Sequence, residues 1–185
     1  MHRTDALLDL TQHTGWTLNP FAEGEEEDIS EHVITVHASR YTELDGKTSL
    51  ATGQVKNVAS APKPMDLTTS TSLSKFLEQG VGASSLSGLD KADEQTDDNL
   101  IFDRPRTESS KEVIHLSHPR SAVSLSFTSD QSSLMFYTAE HFHSGDGSRK
   151  ALHAAGQDTS KGYPKHGCLF LEFHRASSLL SSVHD

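Results

Sequence analysis

Hydrophobic residues in this chain come in short clusters, and only a few clusters have the spacing of a helix or a strand. Over 72–79, Leu73, Phe76 and Leu77 share one side of a predicted helix. A second short helix is predicted near 4–13. Helices of this length are marginal in water, so neither is expected to be stable alone.

Alternation of apolar and polar residues predicts strands towards the C-terminal end. From Val123 to Phe127 every second residue is apolar, and a polar turn and a second apolar run follow. This pattern predicts a β-hairpin over 121–138, with a further strand near 168–174. Glycine and proline residues between 42 and 65 are typical of a linker.

Composition favours disorder over a well-filled core. Hydrophobic residues make up 34% of the 185 residues, and the net charge is -10. Ordering the backbone costs about 1–2 kcal/mol per residue, which apolar burial must offset. We therefore expect a largely intrinsically disordered chain with a few marginal elements. It divides by composition into an acidic motif-bearing segment (1–50), a Ser/Thr/Gly-rich linker with a short helix (51–110), a hairpin segment (111–140) and a His/Gly/Ser-rich tail (141–185).

The acidic charge is concentrated at the N-terminal end, where residues 1–50 carry ten acidic and three basic side chains. Such a segment repels phosphate groups, so nucleic acid and anionic membranes are not expected partners. No apolar run is long enough to insert into a membrane. Cys168 is the sole cysteine, which excludes an internal disulfide and a cysteine-based zinc site. These observations predict a cytoplasmic protein without a cofactor or metal.

The tripeptide Asn19-Pro20-Phe21 stands out because it predicts a turn with an outward aromatic side chain. Acidic residues follow it closely: Glu23, Glu25, Glu26, Glu27 and Asp28. The segment resembles the Asn-Pro-Phe ligands of EH domains, and those of the endosomal-recycling branch carry acids after the motif. The resemblance implies that Phe21 enters an apolar pocket of an EH-domain protein and that the chain is endosome-associated.

Leucines near the start of the chain form a second peptide. Leu7, Leu8 and Leu10 lie in the sequence LLDL, which resembles a clathrin box and implies clathrin as a further partner. The alternative is that they form the apolar side of the helix near 4–13. The sequence YTEL at 41–44 matches a tyrosine-based sorting peptide.

A different partner is implied by the sequence PMDLT. Its residues Pro64, Asp66, Leu67 and Thr68 resemble the peptide bound by C-terminal-binding-protein corepressors. This supports a nuclear adaptor as the alternative function. Ser109 follows two arginines in the pattern of a kinase substrate, which predicts a phosphorylation site.

Catalytic signatures are missing from the sequence. The histidine pairs at 115/118 and 141/143 supply too few ligands for zinc, and no phosphate loop, dinucleotide fingerprint or nucleophile elbow occurs. We therefore predict a non-enzymatic adaptor with no small-molecule substrate. A small globular β domain, built from 113–140 and 168–174, remains a third interpretation.

Overall fold

The computed structural model describes residues 11–21, 28–45, 48, 50–61, 66–78, 98–143, 145, 147–154, 156 and 158–175. Within these residues the chain forms ten strands in two antiparallel sheets that share one hydrophobic core. The prediction of a largely disordered chain is therefore wrong.

The larger sheet in the described part of the chain has six strands in the order β1-β10-β9-β6-β3-β4. Their bounds are Gly15–Trp16 (β1), Arg40–Leu44 (β3), Ala51–Asn57 (β4), Asp98–Ile101 (β6), Ser133–Tyr137 (β9) and Leu169–His174 (β10). Strands from both ends of the sequence therefore meet at β1 and β10.

The smaller sheet in the same residues has four strands in the order β5-β2-β7-β8. These are Val33–Val36 (β2), Thr71–Ser72 (β5), Glu112–His118 (β7) and Val123–Thr128 (β8). A short helix, α1 (Leu73–Glu78), follows β5 directly and buries Leu73 and Phe76. Short 3-10 turns lie at Val58–Ser60, Arg106–Glu108 and Ala151–His153.

Aliphatic side chains from both sheets fill the core. Ile34, Ile114 and Leu116 come from the smaller sheet, and Leu134 and Leu171 come from the larger one. All five are fully buried. Burying one such side chain contributes about 1.5–3 kcal/mol. The few hydrophobic residues suffice because alternate positions of several short strands point to one shared interior.

The predicted hairpin over 121–138 does not form, although both of its strands exist. β8 pairs with β7 in the smaller sheet, whereas β9 pairs with β6 and β10 in the larger one. The turn between them therefore crosses from one sheet to the other. The observed hairpin is β7–β8, in which Leu116 lies opposite Leu125.

The predicted linker over 42–65 is also wrong where it is described, because it contains most of β3 and all of β4. β4 is an edge strand with almost every residue exposed, so it lacks the alternation that marks a half-buried strand. Gly53, which has a φ of 81°, lies inside this strand. The helix predicted near 4–13 lies mostly outside the described residues, and 11–13 are not helical.

The two sheets draw strands from each of the four compositional segments, so those segments do not pack separately. No helix in the described residues is long and apolar enough to cross a membrane.

Candidate functional site

The two faces of β10 have different chemistry. Leu169 and Leu171 point into the core. Side chains alternate along a strand, so Phe170 and Glu172 point to the opposite face of the larger sheet. We call this opposite face the open face. Glu172 is only 9% exposed, which is unusual for a carboxylate on a face that turns away from the core.

The carboxylate of Glu172 meets the imidazole of His13. The distance from His13 Nε2 to Glu172 Oε1 is 3.0 Å. The pairing of β1 with β10, in which Gly15 lies opposite Phe170, brings His13 to the position opposite Glu172 when it is continued outwards. The His13 side chain is 64% exposed and that of Glu172 is 12% exposed, so the imidazole covers the carboxylate from the solvent side.

Phe170 supports this pair from the neighbouring row of the open face. Its ring lies edge-on to His13 at 4.9 Å between centroids and stacks on Tyr137 at 5.7 Å. On the other side, Glu172 lies opposite Met135, which lies opposite Asn99 on β6. Asn99 is buried, so a buried amide lies on the open face two strands away from Glu172, with Met135 between them.

Gly15 is needed where β1 approaches β10. A Cβ atom at this position would lie 2.8 Å from Cys168 Sγ and 3.3 Å from Phe170 Cζ. The absence of a side chain therefore allows β1 to lie close enough for His13 to reach Glu172.

A cavity of about 230 Å³ has neither His13 nor Glu172 in its lining and reaches this pair only through Phe170. Phe170, which contacts His13, forms part of its wall. The remaining lining residues include Gly15, Phe142, Lys150, His153 and Tyr163. An apolar hollow with a few polar groups, separated from a paired acid and base by one aromatic ring, has the general form of a small-molecule site.

A carboxylate and an imidazole at hydrogen-bonding distance can move protons in both directions. The carboxylate can accept a proton from a hydroxyl group, and Nε2–H of the imidazole can donate one to an oxygen atom. Among the described residues, no group of three or more His, Cys, Asp or Glu side chains is placed to hold a metal ion. The paired carboxylate and imidazole support acid–base chemistry on a bound molecule.

Cys168 also lines the cavity, but it is not an activated nucleophile. Burial raises the pKa of its thiol to about 11, so the thiol is protonated near neutral pH. It serves as a small apolar side chain packed against Tyr137 and Phe170.

The Asn-Pro-Phe segment is folded into the molecule. Asn19 is 7% exposed and donates a hydrogen bond to the carbonyl of Asp28 at 2.8 Å. Phe21 has a φ of 51° and stacks on His153, with 4.2 Å between centroids and 4° between planes. Pro20 is exposed. The anchor residue thus already has an aromatic partner within the chain.

Other predicted motif residues lie outside the described residues: Leu7, Leu8, Leu10, Glu23, Glu25, Glu26, Glu27 and Pro64. Of the remaining corepressor-type residues, Leu67 is in the core at 1% exposure, and its carbonyl accepts a hydrogen bond from Val36 N at 2.7 Å. Asp66 accepts hydrogen bonds from the side chain and backbone of Thr68, which lower the pKa of this carboxyl. A buried Leu67 is not displayed for a partner.

Tyr41, the first residue of the tyrosine-type peptide, is buried in the core at 3% exposure. Ser109 is exposed after the 3-10 turn at Arg106–Glu108, and its phosphorylation stays a prediction.

Comparison with known proteins identifies the relationship. The family model described as aldose 1-epimerase matches residues 2–169. This chain belongs to the aldose 1-epimerase family. The match covers most of the sequence and includes His13, and Glu172 lies just beyond its end.

Two solved structures resemble this chain, and the first of them supports the fold. A GalM/aldose epimerase homologue from C. elegans matches with a TM-score of 0.61 and 20% identity, over 93% of this chain and 44% of its own. A galactose 1-epimerase from Lactobacillus acidophilus NCFM matches with a TM-score of 0.48 and 13% identity, over 80% of this chain and 36% of its own. The chain thus spans less than half the length of these two structures. No curated protein matches.

The family membership corrects the functional prediction. The expectation of a non-enzymatic adaptor, whether endosomal or nuclear, is wrong because the chain belongs to an enzyme family with a β-sheet fold. Sequence reasoning also missed His13 and Glu172. Glu172 carried a signal, because it is a single acid in the apolar run LFLEF, but nothing local to either residue indicates that they meet.

Proposed function

We propose that this chain epimerises aldoses at the anomeric carbon, with Glu172 and His13 as the paired base and acid. The observation that carries the proposal is the 3.0 Å contact between the two side chains on the open face. Phe170, which packs against His13, also lines a cavity. Family membership supports the proposal, since the family is described by this reaction. The proposed ligand is therefore a small-molecule sugar and not one of the protein partners expected from the sequence.

Ring opening at the anomeric carbon needs two proton transfers, one from the anomeric hydroxyl group and one to the ring oxygen. In the proposed reaction Glu172 removes the proton of the hydroxyl on the anomeric carbon, and the electron pair left on that oxygen forms a carbonyl. The bond from the anomeric carbon to the ring oxygen breaks, and the ring oxygen takes its electron pair together with a proton from Nε2 of His13. His13 acts here as the imidazolium and becomes the neutral imidazole. Neither group needs a cofactor for this step.

The second half of the reaction restores both groups. Rotation about the bond between the first two carbons presents the other face of the carbonyl, and the ring oxygen attacks it. His13 takes back the proton from that oxygen, and Glu172 returns a proton to the new hydroxyl group. The proximity of acid and base therefore suits a reversible reaction in which each exchanges its role.

Sugar binding must open the contact between the two side chains. The exposed imidazole of His13 can turn away, whereas Glu172 is held by its buried position on β10. The sugar then lies between the two groups, with its remaining atoms over Phe170 and the cavity. The Nε2 atom that contacts Glu172 in the free protein faces the ring oxygen in the complex.

Polarimetry tests the proposal. The rotation of freshly dissolved α-glucose is followed with the protein, and the rate in buffer alone is subtracted. We expect the wild-type chain to accelerate the change and Glu172→Gln to reduce it to the buffer rate. Removal of a positioned base costs about 10²–10⁴ in rate.

Glu112→Gln is the matched control, because Glu112 is an exposed carboxylate on β7 of the other sheet. It should keep the wild-type rate. A wild-type chain that is folded by circular dichroism but does not exceed the buffer rate would contradict the proposal.

A further inference from the structure

His13 depends on a very short strand for its position. β1 contains two residues, Gly15 and Trp16, which pair with β10. Such a strand is weakly attached by itself, since a ladder of two residue pairs supplies few backbone hydrogen bonds. The backbone next to β1 therefore needs further contacts if His13 is to stay beside Glu172.

A buried hydrogen bond between Leu18 and His32 supplies such a contact. The backbone N–H of Leu18 donates to His32 Nε2 at 2.7 Å. Leu18 is 9% exposed and His32 is 0% exposed, so water does not compete for this bond. A buried N–H that loses its acceptor is costly, and this cost favours a shift of the backbone towards water. The bond therefore fixes the chain five residues after His13.

His32 is itself a fixed acceptor, directly before β2 of the smaller sheet. Its backbone N–H donates to the carbonyl of Ile29 at 3.0 Å, and its own carbonyl accepts from Leu73 N at 2.8 Å. Its ring packs edge-on against that of His118, with 4.8 Å between centroids. Desolvation, and secondly His118, lower the pKa of His32 to about 4, so its ring is neutral near pH 7 and Nε2 can accept.

We propose that His32 is a positioning residue for the epimerase reaction, which holds β1 through Leu18 and so keeps His13 in place beside Glu172. This deepens the proposed function and rests on it. His32 lies before a strand of the other sheet, so its effect on His13 passes through the backbone of 13–18. Glu172 is held separately by β10, and a change at His32 therefore moves one member of the pair and not the other. A displacement of about 1 Å is enough to cost much of the rate.

Kinetics on His32→Leu test the proposal, because leucine is apolar and accepts no hydrogen bond. We expect kcat for the interconversion of α-glucose to fall about tenfold to hundredfold and KM to stay within about twofold, since the acid is displaced and the rest of the sugar site is not. His32→Gln, whose side-chain oxygen can accept from Leu18 N, should recover most of this kcat. A kcat for folded His32→Leu equal to that of wild type would overturn the proposal.

Nuclear Overhauser spectroscopy tests the position of His13 without turnover. The rings of His13 and Phe170 lie edge-on with 4.9 Å between centroids, which is close enough for a cross-peak between their protons. We expect this cross-peak to weaken in His32→Leu and to remain in His32→Gln. An unchanged cross-peak in His32→Leu would overturn the proposal, because β1 would then hold His13 without His32.

Leu67→Ala controls for a general loss of stability, since Leu67 is 1% exposed in the core and lies outside β1. It should unfold more easily than wild type but keep both kcat and the cross-peak. Loss of the cross-peak in Leu67→Ala as well would overturn the proposal, since His32 would then act only through overall stability. If His32→Leu does not fold, His32→Asn takes its place, because asparagine keeps the amide of glutamine but is one methylene too short to reach Leu18.

The two proposals fail separately. If the wild-type chain shows no polarimetric rate, but the cross-peak weakens in His32→Leu and remains in His32→Gln, the positioning of His13 by His32 stands and the epimerase proposal falls. If the wild-type chain accelerates glucose interconversion and His32→Leu has the same kcat, the positioning role falls and the epimerase proposal stands.

Discussion

Leu18 and His32 are joined by a hydrogen bond of 2.7 Å that ties the segment after β1 to the start of β2. The backbone N–H of Leu18 donates, and His32 Nε2 accepts. His32 is fully buried, and its ring lies 4.8 Å from that of His118. Because the donor needs an unprotonated nitrogen, this connection between the two sheets depends on a neutral imidazole.

His32 should make folding stability depend on pH. Desolvation, and secondly the nearby His118, lower the pKa of His32 from 6.5 to about 4. Below pH 6.5 the unfolded chain binds a proton that the folded chain binds only near pH 4. Stability should therefore fall across this window, by roughly 3 kcal/mol in total, and level off below it.

His32→Gln checks this prediction. The side-chain oxygen of glutamine can accept the hydrogen bond from Leu18 N, and the glutamine side chain does not titrate. Urea unfolding at several pH values should give a flatter profile for this variant than for wild type. His143→Gln, on an exposed ring, is the control and should keep the wild-type profile. Equal slopes for wild type and His32→Gln between pH 6.5 and 4 would show that another group is responsible.

Gly15→Ala should disturb the contact between His13 and Glu172 by displacing the backbone of β1. The new Cβ would meet Cys168 Sγ at 2.8 Å, so β1 must shift or the thiol must rotate against Phe170. Overpacking of this kind costs about 1–3 kcal/mol, and we expect a loss of the proposed sugar epimerisation as His13 moves from Glu172. Thermal unfolding and polarimetry measure the two effects.

Gly145→Ala is the matched control, because a Cβ there would meet nothing within 4 Å. It should change neither stability nor rate by a measurable amount. Equal behaviour of the two variants would mean that close approach at Gly15 is not required.

Leu67→Ala tests whether the corepressor-type peptide is part of the core. Leu67 is 1% exposed, and truncating such a side chain costs about 2–5 kcal/mol. Leu152→Ala removes the same atoms from an 83% exposed side chain and should stay within about 0.5 kcal/mol. Urea denaturation gives both values. A loss below 1 kcal/mol for Leu67→Ala would mean that this segment does not pack as the structure shows.

Local sequence patterns located several elements of this fold but not their pairing. Strands occur at 123–128, 133–137 and 169–174, where alternation or apolar runs occur, and a helix occurs at 73–78. Whether neighbouring strands pair depends on the direction of the turn between them. The turn after Thr128 leads to the other sheet, and its residues do not encode this in a recognisable way.

The prediction of disorder from composition was wrong because composition gives the number of apolar residues and not their placement in the fold. β4 is polar since it is an exposed edge, and the acidic residues between 23 and 27 are not among the described residues. Sequence patterns also did not locate the candidate site, for a related reason. His13 and Glu172 come from opposite ends of the described chain, and only the pairing of β1 with β10 brings them together.

Short peptides that resemble binding motifs have a structural role within this fold. Asn19 and Phe21 form a turn, as the tripeptide predicts, but Asn19 bonds to Asp28 and Phe21 stacks on His153. A tripeptide contains the information for the turn and none about what covers its aromatic residue.

The most direct measurement of the central claim is the rate of anomer exchange by magnetisation-transfer NMR, for wild type, His13→Asn, Glu172→Gln and the double variant. Two groups that act as a unit lose activity together, so we predict that each single variant falls to within a few fold of the double variant. A single variant that retains the wild-type rate would contradict the assignment of that residue. Losses that add would contradict their action as a pair.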